Sequence, residues 1–218
     1  MEIVPITTNY FFEVNSYLIK TDKGCYLIDT GMKKKRRQLE NELEKAACKP
    51  GDLKLIIITH GHFDHVGNVA YLRDRYGAKV AMHREDTRMI ESGDMFIDTK
   101  GGILTGIIGV LMKLFSLGEF ERFTPDIYLE DNQDLSEYGL PAIIIHTPGH
   151  SKGSISILTE EGDLFCGDIY DNAKKPEKNS LVDDRVAFEN SVKKLRKLNL
   201  LMIYPGHGNP FNMEELSD

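Results

Sequence analysis

The stretch LKLIIITHGHFDHVGN, Leu53 to Asn68, carries two signals back to back. Its first half, Leu53 to His60, is a continuous apolar run of the kind shown by a strand buried on both faces. Its second half places three of the chain's seven histidines, His60, His62 and His65, within six residues, together with Asp64. Residues two apart on an extended chain share a face, so His60 and His62 can aim both imidazoles at one point from the end of the strand. Asp64 and His65 follow in the turn that opens the next helix, where a second set of ligands can face a neighbouring point. Imidazole and carboxylate suit zinc, iron or manganese. The stretch supports two ions, with one ion as the open alternative.

Outward from this stretch the pattern is strand, loop, helix, strand. VGNVAYLRDRYG reads as a helix stopped by Gly77, and AKVAMH as a short strand. Upstream, EIVPIT, EVNSYLIKT and GCYLIDT alternate well enough to be strands, the last two joined by the turn Asp22-Lys23-Gly24. Lys33 to Ala47 carries Leu39, Leu43 and Ala46 or Ala47 at helical spacing and is closed by Pro50-Gly51. From Asp126 the texture returns, with strands DIYLED, AIIIHTPG, SISILTEE and LFCGDIY, a helix from Val186 to Leu198, and the strand LMIYPGHG. Strands opening each half with helices interleaved predict an α/β protein of two sheets, each covered by helices.

Four ligands from one short loop seldom complete a metal site. His150 in TPGHSKGS, Asp168 in FCGDIY and His207 in YPGHGNP all stand at strand ends beside glycine, where the backbone can turn sharply and a rigid scaffold presents functional side chains. They are the natural partners. His83, before REDTRMIE, reads as a capping or packing residue and His146, within AIIIHTPG, as a hydrogen-bonded strand histidine; neither is assigned to a metal.

The rest of the composition narrows the class. A formal net charge of −7 over 218 residues disfavours a nucleic-acid partner, and the basic runs Lys33 to Arg37 and Lys193 to Lys197 read as solvated helix faces. Cys25, Cys48 and Cys166 are odd in number and widely spaced, which argues against a disulfide framework or a zinc ribbon. The start, MEIVPITTNYFFEVN, lacks the pattern of a signal peptide, so a cytoplasmic protein is expected. The apolar run GGILTGIIGVLMKLFSLG, Gly101 to Gly118, is interrupted by Lys113 and falls short of the roughly 20 residues of a membrane span, so no transmembrane segment is expected.

The order HGHFDH, a strand-end PGH, GD and a final PGHG, together with LIDTG at Leu27 to Gly31, resembles the metallo-β-lactamase superfamily. The likeness runs from about Ile3 to Phe211 and leaves roughly residues 90 to 124 unmatched. It implies a single domain over 1–218 with a four-layer αββα sandwich, two mixed β-sheets flanked by helices, and a metal groove at one edge of the sheets. By motif position His60, His62 and His150 would bind a first metal and Asp64, His65 and His207 a second, with Asp168 bridging. Asp29 would hold the metal-binding loop through hydrogen bonds. Two divalent ions, zinc foremost with iron or manganese as alternatives, would hold a bridging hydroxide that attacks an ester, lactone or thioester of a small, hydrophobic substrate. Asp64 is the candidate catalytic group, orienting that hydroxide and passing a proton to the leaving group.

Within the family, the chain ends eleven residues after His207, leaving no room for the helical glutathione-binding domain of glyoxalase II. A glyoxalase II-like branch without that domain is expected. Tyr170, two residues beyond Asp168, only approximates the tyrosine of the acyl-homoserine lactonases. The apolar insert at about 90–124 reads as a cap over the substrate, with a homodimer interface or ordinary core as rivals and membrane-surface contact as a weaker option. Alternatives on the same scaffold are a phosphodiesterase and a mononuclear iron oxygenase of the persulfide dioxygenase type; a non-catalytic metal-stabilised module ranks below both. The full set Asp64, His65 and His207 favours the hydrolase.

Overall fold

Alternation along the central strand β4 (Leu53–Ile58) explains the layering. Ile56 and Ile58 enter one hydrophobic core and Leu55 and Ile57 another, so the strand is apolar without a break. The computed structural model describes residues 1–97 and 118–216. β4 is the fourth strand of a six-stranded mixed sheet in sequential order, after β1 (Glu2–Asn9), β2 (Glu13–Thr21) and β3 (Gly24–Ile28), and before β5 (Lys79–His83) and β6 (Ile127–Leu129). The first three strands form an antiparallel meander, whereas β3 to β6 run parallel. The second sheet contains β7 (Ala142–His146), β8 (Ile155–Thr159) and β9 (Leu164–Gly167). A two-stranded pair, β10 (Tyr170–Asp171) and β11 (Glu177–Lys178), follows them. With β12 (Met202–Pro205) and β13 (Phe211–Asn212), the spatial order of the second sheet is β13-β12-β9-β8-β7, with β12 and β9 paired in parallel.

Three cores separate four layers. The outer face of the first sheet packs Leu18, Leu27 and Val80 against Leu39 and Leu43 of α1 (Arg36–Lys45), and against Val69 and Leu72 of α3 (Val69–Tyr76), which follows the single turn α2 (Phe63–Val66). The sheets meet over Tyr17, Tyr26, Ile28, Ile144, Ile157 and Phe165. After α4 (Thr87–Ser92), the last long helix, α5 (Arg185–Leu195), closes the other side with Phe188, Val192 and Leu195 over Leu164, Cys166 and Ile203. The protein is therefore an α/β sandwich with layers αββα.

Several boundaries differ from the sequence reading. β4 stops at Ile58, so His60 and His62 lie in the loop beyond it, because the backbone N–H of Thr59 turns away to Asp29. The helix expected from Val66 is split into α2 and α3 at Gly67, where a Cβ would run into the backbone of Lys33 and Gly31. LFCGDIY breaks after Gly167, placing Asp168 in a turn. Of the apolar insert, residues 98–117 lie outside the described residues, and with them the lid and dimer readings. Among the described residues no helix is long and apolar enough to cross a membrane.

Candidate metal centre

The strand ends expected to carry ligands converge on one edge of the sandwich. The loop after β4 brings His60, His62, Asp64 and His65; the turn after β9 brings Asp168; the loops after β7 and β12 bring His150 and His207. All are buried except His62 and His207, which are half-buried. They assemble into three overlapping groups, His60–His62–His150, His60–His65–Asp168 and Asp64–His65–His207, each with its ligand atoms within 4.8 Å of one another. His150 Nε2 is 3.2 Å from His60 Nε2 and 3.0 Å from His62 Nδ1. Asp168 stands between the two triads: its Oδ2 is 3.4 Å from His150 Nε2 and 3.2 Å from His207 Nε2, and its Oδ1 is 3.4 Å from His65 Nε2. Asp64 Oδ2 is 3.6 Å from His207 Nε2 and 3.8 Å from His65 Nε2. All seven residues singled out from the sequence are thus brought together.

The far side of four of the five rings is occupied. His150 Nδ1 donates to the Leu181 carbonyl at 2.7 Å and His207 Nδ1 to the Glu13 carbonyl at 2.7 Å. His65 Nδ1 is 2.8 Å from Asp29 Oδ2. Thr59 spends its only hydroxyl proton on the same Asp29 oxygen at 2.7 Å, so at the 3.0 Å contact with His60 it is the ring that donates, from Nδ1. Fixing a proton on Nδ1 turns the Nε2 lone pair of these four rings inward, as metal-ligating histidines require, whereas His62 faces the centre with Nδ1. Asp29 accepts a third bond, from Thr59 N at 2.8 Å, and holds φ at +56°, a conformation unusual outside glycine that aspartate tolerates.

Two observations test whether these donors suit a cation. Inward-facing lone pairs about 3 Å apart repel unless a positive charge lies among them. Moreover, among the described residues His65 Nε2 and Asp168 Oδ1 are buried without a hydrogen-bond partner, a costly state for polar atoms that a metal ion relieves. Electrostatics divides the centre in the same way. Burial and the neighbouring imidazoles hold His60 and His62 well below the ordinary histidine value, hence neutral. At His65 and His207 burial also opposes charge, but Asp168 with Asp29 and Asp64 outweighs it at His65, pushing it up to about 9. Asp168 and Asp64 push His207 up to about 10. Burial likewise opposes the charge on Asp168, and His207, His65 and His150 nevertheless keep it well below the usual carboxylate range.

Other residues fall where chemistry is not required of them. His83 accepts from Glu85 N at 3.3 Å as a helix cap and stacks on His146 at 4.0 Å, while His146 Nε2 donates to the Lys152 carbonyl at 2.9 Å. Tyr170 is fully buried in the core beneath α5, not in the groove. The sequence reading missed Asn15, whose side chain donates to the carbonyls of Pro205 and Gly208 at 3.0 and 2.6 Å, while its N–H binds Gly206 O, so that β2 holds the His207 loop. Its signal was the polar pair Asn15-Ser16 inside an otherwise buried strand. Thr59 was missed as well, although it directly precedes His60. The exposed aromatic hairpin tip Tyr10–Phe12 also escaped notice; Phe12 meets the His207 ring edge-on at 5.4 Å.

An αββα sandwich whose edge gathers imidazoles and carboxylates into adjoining triads, without a nucleophilic serine or cysteine among them, defines a metallo-hydrolase scaffold. The chain belongs to the metallo-beta-lactamase superfamily, whose family profile matches residues 9–207. With that membership it is a metal-dependent hydrolase, of a fold that binds metal ions. It is similar to a probable metallo-hydrolase of Methanocaldococcus jannaschii, at 30% identity over 91% of this chain and 89% of that protein. It is also similar to the hydroxyacylglutathione hydrolase GloC of Haemophilus influenzae, at 28% identity over 78% and 71% of the two chains. The di-iron-bound form of TTHA1623 superposes with a TM-score of 0.74 at 26% identity, covering 97% of this chain and 95% of that one.

Proposed function

We propose that the chain is a dinuclear hydrolase of a small ester, lactone or thioester with a hydrophobic portion, with residues 1–218 forming one catalytic domain. The observation that carries this reading is the pair of triads, His60–His62–His150 and Asp64–His65–His207, joined through Asp168, with His65 Nε2 and Asp168 Oδ1 lacking a hydrogen-bond partner among the described residues. The first triad would hold one ion and the second another. Bound divalent ions would polarise the scissile carbonyl and acidify water enough to supply hydroxide near neutral pH. Asp64, buried beside His65 and His207, would orient the attacking water and carry a proton toward the leaving oxygen or sulfur. Thioesters lead the panel because a hydroxyacylglutathione hydrolase is among the relatives.

Nitrogen and oxygen donors without thiolate suit zinc, iron and manganese alike. Zinc is our first choice, and the di-iron-bound neighbour makes iron the specific rival. Three buried free thiols fit a reducing, cytoplasmic setting. The test is elemental analysis of protein purified without added metal, followed by a panel of esters, lactones, thioesters and phosphodiesters of graded chain length. Two ions per chain with thioester, ester or lactone turnover is the expected result. A single iron with oxygen uptake, or turnover of phosphodiesters alone, would overturn it.

A further inference from the structure

The first triad is drawn from two segments far apart in sequence, the turn His60–Gly61–His62 and the loop carrying His150, and one side chain outside the centre binds both. Asp86, beyond the end of β5, stands at the N-cap of α4 and is completely buried. Its Oδ2 accepts from the Gly61 N–H at 2.8 Å and from the Ser151 hydroxyl at 2.7 Å; its Oδ1 accepts from the Gly153 N–H at 2.6 Å. Gly61 lies between two ligands and Ser151 directly follows the third. The Ser151 hydroxyl proton is committed to Asp86, so the Ser154 hydroxyl donates to Ser151 Oγ at 2.7 Å and accepts from the Ser151 N–H at 3.0 Å, closing the loop on itself. There is no slack: a Cβ on Gly153 would sit 2.6 Å from Asp86 Cγ, and one on Gly61 3.3 Å from Asp86 Cβ. Asp29 plays the corresponding part on the other side, tying Thr59 to the ring of His65.

We infer that Asp86 is the positioning residue of the first triad, fixing His60 and His62 relative to His150 and thereby setting the affinity of that triad for its ion independently of the second. The inference rests on reading the two triads as metal sites. Three donors converge on the carboxylate, so an asparagine there must turn its NH₂ toward at least one of them. In the better orientation it loses Gly153 and keeps Gly61 and Ser151. Loss of such an outer contact reduces metal affinity roughly 10- to 100-fold.

The experiment is a cobalt(II) titration of the full chain followed by proton NMR of the exchangeable ring N–H groups. Those of His60 and His150 report the first triad and those of His65 and His207 the second; single histidine-to-alanine variants assign them. Asp86→Asn is expected to weaken filling of the first triad roughly 10- to 100-fold and leave the second within a few-fold. Asp29→Asn is expected to weaken the second triad roughly 10- to 100-fold and, because Thr59 links Asp29 to His60, the first by only a few-fold, the opposite asymmetry, which general destabilisation does not produce. Equal weakening at both triads in Asp86→Asn, or none at the first, overturns the assignment. If Asp86→Asn does not fold, Ser151→Ala removes one of the three bonds and is expected to weaken the first triad alone by a few-fold; unchanged affinity there overturns the assignment equally. A wild-type chain that takes up no cobalt overturns the two-triad reading itself and this inference with it.

Discussion

Replacing Asp29 by asparagine changes the donors and acceptors of one buried side chain while keeping its volume. The carboxylate accepts from Thr59 N at 2.8 Å, from Thr59 Oγ1 at 2.7 Å and from His65 Nδ1 at 2.8 Å. If the amide oxygen stays on Thr59 N, the NH₂ faces His65, which must then accept at Nδ1 and carry its proton on Nε2, the atom 3.4 Å from Asp168. If the amide flips, His65 keeps its acceptor but the NH₂ opposes the Thr59 N–H. Either way at least one hydrogen bond to a charged group is lost in a buried place, about 1.5–3 kcal/mol, which corresponds to roughly 10- to 100-fold in affinity. Asparagine tolerates the +56° φ of this position, whereas alanine would add backbone strain to the result. The assay is competition with a chelator of known affinity, read at equilibrium, with far-UV circular dichroism to verify the fold. Wild-type affinity at both triads in a folded Asp29→Asn protein would refute the argument that Asp29 fixes the His65 proton.

In metal-free protein His65 and His207 hold protons up to about pH 9 and 10, so metal uptake at pH 7 is expected to release about two protons and affinity to rise with pH until those values are passed. Calorimetry in buffers of different ionisation enthalpy counts them, and a count of zero would sink the electrostatic reading. The sign for folding is opposite: both folded values lie above the ordinary 6.5, so their stabilisation of the metal-free protein is complete below that pH and is lost as pH rises through about 9 to 10, which urea melts at pH 6.5 and 9.5 compare. Gly206→Ala would drive a Cβ into Asp168 Oδ1 and to 2.8 Å from His65 Cε1, so metal content should fall sharply while the circular dichroism persists. Phe188→Ala empties a fully buried position on the inner face of α5 and should cost about 3–5 kcal/mol in urea melts, a loss below 1 kcal/mol counting against a tightly packed third core.

How much of this was legible depended on whether the signal was local. The apolar run of β4 announced burial on both faces, and the structure gives each face its own core. The seven candidate ligands could be read because four cluster in one short stretch and the other three are a histidine or aspartate beside a strand end and glycine, and all seven meet. Asp29 was legible only through LIDTG; nothing in one aspartate tells that it will accept from Thr59 and His65. Of Asn15 only its polarity within a buried strand was legible, and of Asp86 nothing, since their partners lie up to 193 residues away, as for Asn15 and Gly208, and are mostly backbone groups that carry no sequence signature. The sequence reading carried β4 two residues too far, to His60, because nothing local tells that the Thr59 N–H leaves the sheet to donate to Asp29.

The same long-range contacts explain why the centre can be built before any ion arrives. The His207 ring is held by a carbonyl at the start of β2, the His150 ring by one that precedes α5, and the His65 ring by a side chain after β3, so the imidazoles are oriented only once both sheets have stacked. In that state the second triad is not left with uncompensated charge: protons on His65 and His207 face Asp64 and Asp168, occupying electrostatically the place of the ion. The first triad has no such placeholder, because burial and mutual repulsion keep His60 and His62 neutral. Its geometry must therefore come from packing and from hydrogen bonds outside the rings, and in the folded chain those are the bonds that Thr59 and Asp86 make. Metal uptake at the second triad is an exchange of protons for an ion, and at the first the filling of a site already shaped; only the former should depend steeply on pH between 7 and 9.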